Sequence, residues 1–328
     1  MKTKNIQRVL YASLVMLVST CASAASSADA YPTRPIRIIL GFPPGGSDDY
    51  LARIIGPKLS ERLRQSVVVE NRPGASSNIG AELTARATPD GYTLFLGPIT
   101  TLAASRSLYP KLGYDLFKDF SYVTLVATQT NVLVAHPSLP AKSLPELVRF
   151  VRSKPGSVRY ASQAMASGSH LAMELLKRQA GIDLLHVPYK GGGPAATAIA
   201  AGEVEVGFIA MSAAVPLIEA KRFNALAVSS PRRLQALPNV PTVAESGFPG
   251  FRATANFGIL APKDTPSSIV GRLNSEIQTI LRMDDVRARF ALQGMEAEGS
   301  TPEEFRASTE ASAAESARII KEAKITLD

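Results

Sequence analysis

Gly45, Gly46 and Ser47 follow Pro43-Pro44 and lead into a run in which Leu51, Ile55, Leu59 and Leu63 recur at helical spacing. A glycine-rich turn feeding a helix leaves backbone N–H groups unpaired at the positive end of the helix dipole, which suits a carboxylate or a phosphate. One such turn is a weak signal, because many α/β proteins use it for packing alone. Three more segments share the character: Gly74-Ala75-Ser76-Ser77-Asn78-Ile79-Gly80, Ser167-Gly168-Ser169-His170 and Lys190-Gly191-Gly192-Gly193-Pro194. Each opens a helical pattern, and loops of this kind at strand ends line the crevice of open α/β sheets. The chemistry expected of them is capture of an anion by backbone amides.

Signatures of bond-making chemistry are missing from the sequence. Gly191-Gly192-Gly193 is not G-x-G-x-x-G, no Walker lysine follows a matching glycine spacing, and neither G-x-S-x-G nor H-E-x-x-H occurs. His136, His170 and His186 are too dispersed for a local metal motif, so neither a cofactor nor a metal is expected. Asp48 and Asp49 could act as paired acids, but Asp48 reads better as the helix cap, with Asp49 adding a favourable charge in the first turn. His170, at a helix start, is the histidine best placed to support binding; for His136 and His186 an ordinary structural role suffices.

The elements that must position these loops follow from the apolar pattern. Short β-branched runs at 36–42, 67–70, 93–97, 122–126, 131–135, 184–187, 206–209 and 225–228 alternate with longer amphipathic stretches, which implies βαβ units and mostly parallel sheets. Pro57 inside the first helix predicts a kink or a late start there. The Ala/Ser/Glu-rich stretch 301–324 predicts a surface helix.

With 45% hydrophobic and 20% charged residues, 328 residues suffice for one large or two medium domains. Lys2, Lys4 and Arg8 precede an apolar run at 9–18 and the small-residue sites Ala22-Ser23-Ala24 and Ala28-Asp29-Ala30. Residues 1–24 therefore read as a secretory signal peptide, with cleavage there or as late as residue 30, and the mature chain is expected to be soluble in the periplasm. Cys21, the one cysteine, lies upstream of both sites; Val18-Ser19-Thr20-Cys21 also resembles a lipoprotein site, for which Thr20 is a poor match. Removing the three basic residues from the net charge of +8 leaves about +5, enough to collect anions. The basic residues are scattered and there is no Trp, which argues against a nucleic-acid partner.

At these loops the chain resembles the Bug (TctC-like) family of periplasmic receptors, the substrate-binding components of tripartite tricarboxylate transporters. The resemblance runs from Tyr31 to Lys324, through Phe42-Pro43-Pro44-Gly45-Gly46, Glu70-Asn71-Arg72-Pro73-Gly74-Ala75, Pro89-Asp90-Gly91-Tyr92-Thr93-Leu94, His186-Val187-Pro188-Tyr189-Lys190-Gly191 and Pro241-Thr242-Val243-Ala244-Glu245. It implies a two-lobed type II periplasmic-binding-protein (Venus flytrap) fold in the α/β class, each lobe a mostly parallel sheet flanked by helices. Crossings near 127–131 and 251–256 would make residues 31–128 plus 254–328 lobe one and 129–253 lobe two.

The function so implied is capture of a small carboxylate between the lobes and its presentation to the membrane permease subunits of a tripartite transporter. A ligand sensor docking on a membrane kinase is the alternative, and an enzyme acting on a small acid through His170 or Asp49 a more distant one. Carried over residue by residue, the lobe-one floor is Pro44, Gly45, Gly46 and Ser47 with Asn78 and Thr100. The lobe-two lid is Ser167, Gly168, Ser169, Lys190, Gly191 and Gly192, with Phe208 and Met211 as an apolar wall. The chain departs from the family at Gln163-Ala164-Met165-Ala166, where a Ser-Gly-Asn-Gly run is usual, and at Asn256, where Trp is common. It also has Ile209-Ala210-Met211 where an Asp often follows. Loss of that carboxylate predicts a ligand without an ammonium group.

Overall fold

In a computed structural model, residues 31–326 are described; the segment 1–24 expected to be a signal peptide, with Cys21, lies outside them. The first half-sheet grows from β1 (Ile36–Leu40), whose Ile36, Ile38, Ile39 and Leu40 are all buried. Helix α1 (Ser47–Leu63) returns the chain to β2 (Val67–Asn71), and α2 (Asn78–Ala85) leads on to β3 (Thr93–Pro98) and α3 (Ile99–Leu108). Both β2 and β3 pair parallel with β1, as βαβ crossovers require. Helix α1 begins at Ser47 and runs through Pro57, so the proline does not delay its start.

Strand β4 (Phe120–Ala135) joins this half-sheet to a second one. The two runs expected at 122–126 and 131–135 form one 16-residue strand, on the order of 50 Å long. Its first part, Phe120 to Thr130, pairs antiparallel with β9 (Thr254–Pro262), which also pairs with β3. From Asn131 onward it pairs antiparallel with β7 (Val206–Ala210) and β8 (Asn224–Val228). Strands β5 (Arg159–Ser162) and β6 (Leu185–Pro188) extend the second half-sheet in parallel, and β10 (Met295–Ala297) edges β4 in the first. Parallel pairing thus holds in the outer strands and antiparallel pairing at the centre. The parallel share is smaller than the βα alternation predicts, because β9, which follows β8 without an intervening helix, is inserted antiparallel between β3 and β4, and β4 runs on antiparallel to β7 and β8.

Each half-sheet carries apolar clusters on both faces. In the first, α1 and two later helices, α8 (Ser267–Leu281) and α9 (Asp284–Leu292), cover one face. The other face packs Phe95, Leu102 and Tyr122 against Phe305 of α10 (Pro302–Glu322). In the second, α4 (Leu144–Ser153) and α5 (Gly168–Ala180) pack opposite α6 (Gly192–Ala201) and α7 (Met211–Glu219). The sequence stretch 301–324 is indeed helical, capped by a reciprocal box in which Thr301 Oγ1 accepts from the Glu304 amide at 3.1 Å and the Thr301 amide donates to Glu304 Oε2 at 2.9 Å. It is not wholly at the surface: Phe305 is buried, and Ile319 and Ile320 meet Leu171 of α5 in an apolar cluster between the half-sheets. Among the described residues, no helix is long and apolar enough to cross a membrane.

Candidate functional site

Four helices begin at one cleft of about 350 Å³ between the half-sheets: α1, α3, α6 and α7, with Gly46, Pro98, Gly191 and Ala210 as their N-caps. None of the four has a side-chain hydrogen bond at its cap. Elsewhere α4, α5 and α10 are capped by Ser143, Ser167 and Thr301, while α2, α8 and α9 are uncapped too, so what marks the cleft is the convergence of four such ends. The cleft therefore concentrates free amide donors and positive helix ends at the carboxyl edges of β1, β3 and β7. Its only charged lining side chains are Lys190 and Asp48; Phe42, Phe257, Pro98, Pro194 and Ala213 supply apolar surface.

The floor loop is held from below. Gly41 lies so close to the following loop that a Cβ there would fall 1.7 Å from Ser77 Oγ, and a Cβ on Gly80 would lie 3.2 Å from the Gly41 Cα. Such approach requires glycine. The Asn71 side-chain amide donates to the Phe42 carbonyl at 2.9 Å, and the Arg72 amide to that of Leu40 at 2.7 Å. In return, Ala75, Ser76 and Ser77 all sit in the left-handed region at φ 45°, 54° and 79°. For non-glycine residues such geometry costs of order 1–3 kcal/mol each, and it persists only where surrounding contacts impose it.

The two aspartates depart from expectation. Asp48 is not the cap of α1; Gly46 is, and Asp48 is a buried first-turn residue whose Oδ1 accepts from the Asp49 amide at 3.1 Å. The glycine backbone lets the turn close without a capping side chain, so the carboxyl is carried inside instead. Asp49 Oδ2 reaches back to the Gly45 amide at 3.0 Å and takes Arg53 Nε at 2.8 Å. Burial opposes ionisation of Asp49, but these bonds outweigh it and hold its pKa below the usual carboxylate value. For Asp48, burial dominates over the nearby amides of Asp49 and Phe42 and pushes the pKa up to about 7.

Across the cleft, the Gly191 amide donates to the Gln163 carbonyl at 2.8 Å, which ties the start of α6 to the loop after β5. That loop is fixed from behind. Ser169 Oγ accepts from the Gln163 amide at 3.1 Å, Ser167 Oγ donates to the Ala164 carbonyl at 2.7 Å, and His170 Nδ1 accepts from the Ala166 amide at 3.1 Å. His170 stacks on His186 at 3.9 Å, and His186 Nε2 meets Ser162 Oγ at 2.7 Å. Burial lowers His170 to about 4, with Lys177 assisting; it lowers His186 to about 3, with His170 next in effect. Both rings are neutral supports of the loop.

Of the residues singled out by sequence, Pro44, Gly45, Gly46, Ser47, Lys190, Gly191 and Gly192 come together around this cleft. Thr100 and Gly168 line a neighbouring cavity of about 270 Å³ with Asn256, whose amide donates to Thr100 Oγ1 at 3.0 Å. Ser167 and Ser169 are buried behind Gln163. Asn78 braces the supporting loop, donating to the Ala75 carbonyl at 2.6 Å and accepting from Tyr114 at 2.6 Å. Phe208 is stacked on Phe251 in the core, and Met211 is buried against Gly294, behind a wall whose surface is Ala210, Ser212 and Ala213. Neither His170 nor Asp49 lines the cleft. Pro98, Gln163, Ser212 and Phe257 carry no site signal in the sequence; Pro98 ends β3, Gln163 directly follows β5 and Ser212 lies two residues past β7, the positions at which strand ends line a crevice.

Two half-sheets joined by a long shared strand, with a cleft of helix N-termini between them, define a two-lobed solute-binding protein. Residues 51–325 match the family described as the tripartite tricarboxylate transporter family receptor, and the chain belongs to that family. It is 38% identical over 303 residues to the protein BugT of Bordetella pertussis, covering 92% of this chain and 93% of that protein. Among solved structures, Rpa4515 of R. palustris with adipate superposes with a TM-score of 0.86 at 35% identity, covering 90% of this chain and 99% of the other. MatC of Rhodopseudomonas palustris with bound malate does so with a TM-score of 0.82 at 31% identity, covering 88% and 100%.

Proposed function

We propose that this receptor captures a small carboxylate in the cleft lined by Gly46, Lys190 and Gly192, and delivers it in the periplasm to the permease of a tripartite transporter. The observation that carries the reading is the convergence of four uncapped helix N-termini on one cleft with a lysine at its rim. That arrangement supplies charge and donors to an anion without a buried arginine. Adipate and malate in two similar proteins support a carboxylate. The largely apolar remainder of the lining favours an amine-free acid with an apolar middle or far end.

In this reading residues 31–128 and 254–328 form one lobe and 129–253 the other. β4 leaves β9 at Thr130 and joins β7 at Asn131, and this is where the lobes would hinge. Ligand bridging the two loops stabilises the closed state by its differential contacts, and the closed state is what the permease reads. A calorimetric screen of mono-, di- and tricarboxylates, aromatic acids and amino acids tests this. Tight binding of a carboxylate is expected; no binding of any acid refutes the reading, and preference for aspartate or glutamate refutes the amine-free ligand.

A further inference from the structure

Asp48 is the one acidic side chain in the lining of the proposed anion site. It is 1% exposed, and its Oδ2 is buried without a hydrogen-bond partner, as is Oδ1 of Asp49. The groups facing it are few. On its own helix, Oδ2 of Asp49 is engaged by Arg53 and the Gly45 amide, and Asn71 of β2 approaches Asp49; across the cleft stands Lys190. Thus, among the described residues, Asp48 has no ion-pair partner and only backbone amides such as those of Asp49 and Phe42 oppose the effect of its burial, so an incoming carboxylate places further negative charge beside a buried, weakly compensated carboxyl. Two carboxylates in such a space cannot both stay charged at low cost, and one of them takes a proton.

We propose that Asp48 is a neutral acid in the liganded cleft, so that capture of a dicarboxylate takes up a proton from solvent and makes affinity fall as the medium becomes alkaline. No bond in the ligand changes; the Asp48 carboxylate and a solvent proton combine to the carboxylic acid. Asp48 is a positioning residue, since its Oδ1 accepts from the Asp49 amide in the first turn of α1 and the residue lines the cleft. Burial already raises the free group to about 7, and the ligand's charge raises it further. Binding is then independent of pH well below 7. Above 7 the affinity drops by up to tenfold per pH unit, until Asp48 ionises in the complex as well.

The inference rests on the carboxylate-receptor reading, and adipate serves as the probe, measured by calorimetry from pH 6 to 9, above the titration of ordinary carboxyl groups. The wild type is expected to lose affinity above pH 7 and, at pH 7.5, to take up a fraction of a proton, read from buffers of different ionisation enthalpy. Asp48→Asn, which imitates the neutral acid, is expected to bind at all these pH values with a flat profile. A wild type that binds with no proton uptake overturns the inference alone. So does an Asp48→Asn variant with the wild-type slope, or one natively folded by circular dichroism that binds nothing. Should Asp48→Asn not fold, the wild-type proton count decides. A wild type that binds no dicarboxylate overturns this inference, and one that binds no acid at all overturns the receptor reading as well.

Discussion

A Cβ placed on Gly41 would lie 1.7 Å from the Ser77 Oγ, which makes this pair the tightest link between the floor of the cleft and the loop beneath it. Gly41→Ala must push the two loops apart, at a cost of about 1–3 kcal/mol for an overpacked site, and move the amides of residues 45–47. Both thermal stability and adipate affinity are expected to fall. Gly46→Leu is expected to behave differently. Gly46 has φ −80°, open to any residue, and a Cβ there first meets Asp48 Oδ1 at 3.0 Å and the Pro43 carbonyl at 3.6 Å. Its side chain would fill the cleft, so binding is lost while the melting temperature stays within a few degrees. Retained affinity in Gly46→Leu removes this loop from the site.

Lys190 is exposed at the rim of the cleft. Lys190→Ala is expected to weaken adipate binding by about tenfold, near 1.4 kcal/mol, and to flatten the dependence of the association rate on ionic strength, because a rim charge acts chiefly by steering. Stopped-flow association at low and high salt checks both parts; an unchanged rate at low salt contradicts the role.

The stacked His170 and His186 set the acid limit of stability. Their pKa values near 4 and 3 lie below the unfolded value of 6.5. Their contribution is therefore complete above 6.5 and is lost as pH falls toward the folded values, by up to about 1.4 kcal/mol per unit for each ring. Asp48 works in the opposite sense. Raised to about 7, it gives stability that grows as pH falls from 7 toward the unfolded carboxylate range. Urea unfolding between pH 4.5 and 7 is expected to show a shallower acid loss in His186→Gln and a steeper one in Asp48→Asn. Identical slopes in all three proteins rule out this assignment.

What the sequence reveals of this molecule depends on whether a feature is local. The strand at residues 36–40, the proline and glycine turn and the amphipathic α1 are local patterns, and they put Pro44 to Ser47 at the edge of the cleft. Strand β5, Arg-Tyr-Ala-Ser, has no β-branched run to reveal it, and β9 starts inside the stretch 251–256, in a sequence rich in small residues. Asn78 reads as a floor residue through the family resemblance alone. Only the close approach of Gly41 to Ser77, a contact between loops 36 residues apart, makes its loop a brace. The cap of α1 differs from the sequence expectation for a related reason: Asp is a strong cap by type, but a glycine at 46 lets the helix start two residues earlier and turns Asp48 inward.

Gly168 measures how far the lobes must approach. It opens α5 on one half-sheet, yet a Cβ there would come within 3.1 Å of the Ala255 Cβ on β9, and the cluster of Leu171 with Ile319 and Ile320 lies alongside. A leucine at 168 is compatible with the helix but not with that approach. Gly168→Leu is therefore expected to hold the lobes apart while leaving the core of each intact. Apparent affinity then falls by the fraction of molecules still able to close, and a tenfold loss corresponds to a tenth remaining competent. Small-angle scattering with and without adipate separates this from local damage. The wild type is expected to contract on binding, and Gly168→Leu to remain at the larger radius with an unchanged unfolding temperature. If the variant contracts as the wild type does, the contact of α5 with β9 is not part of closure.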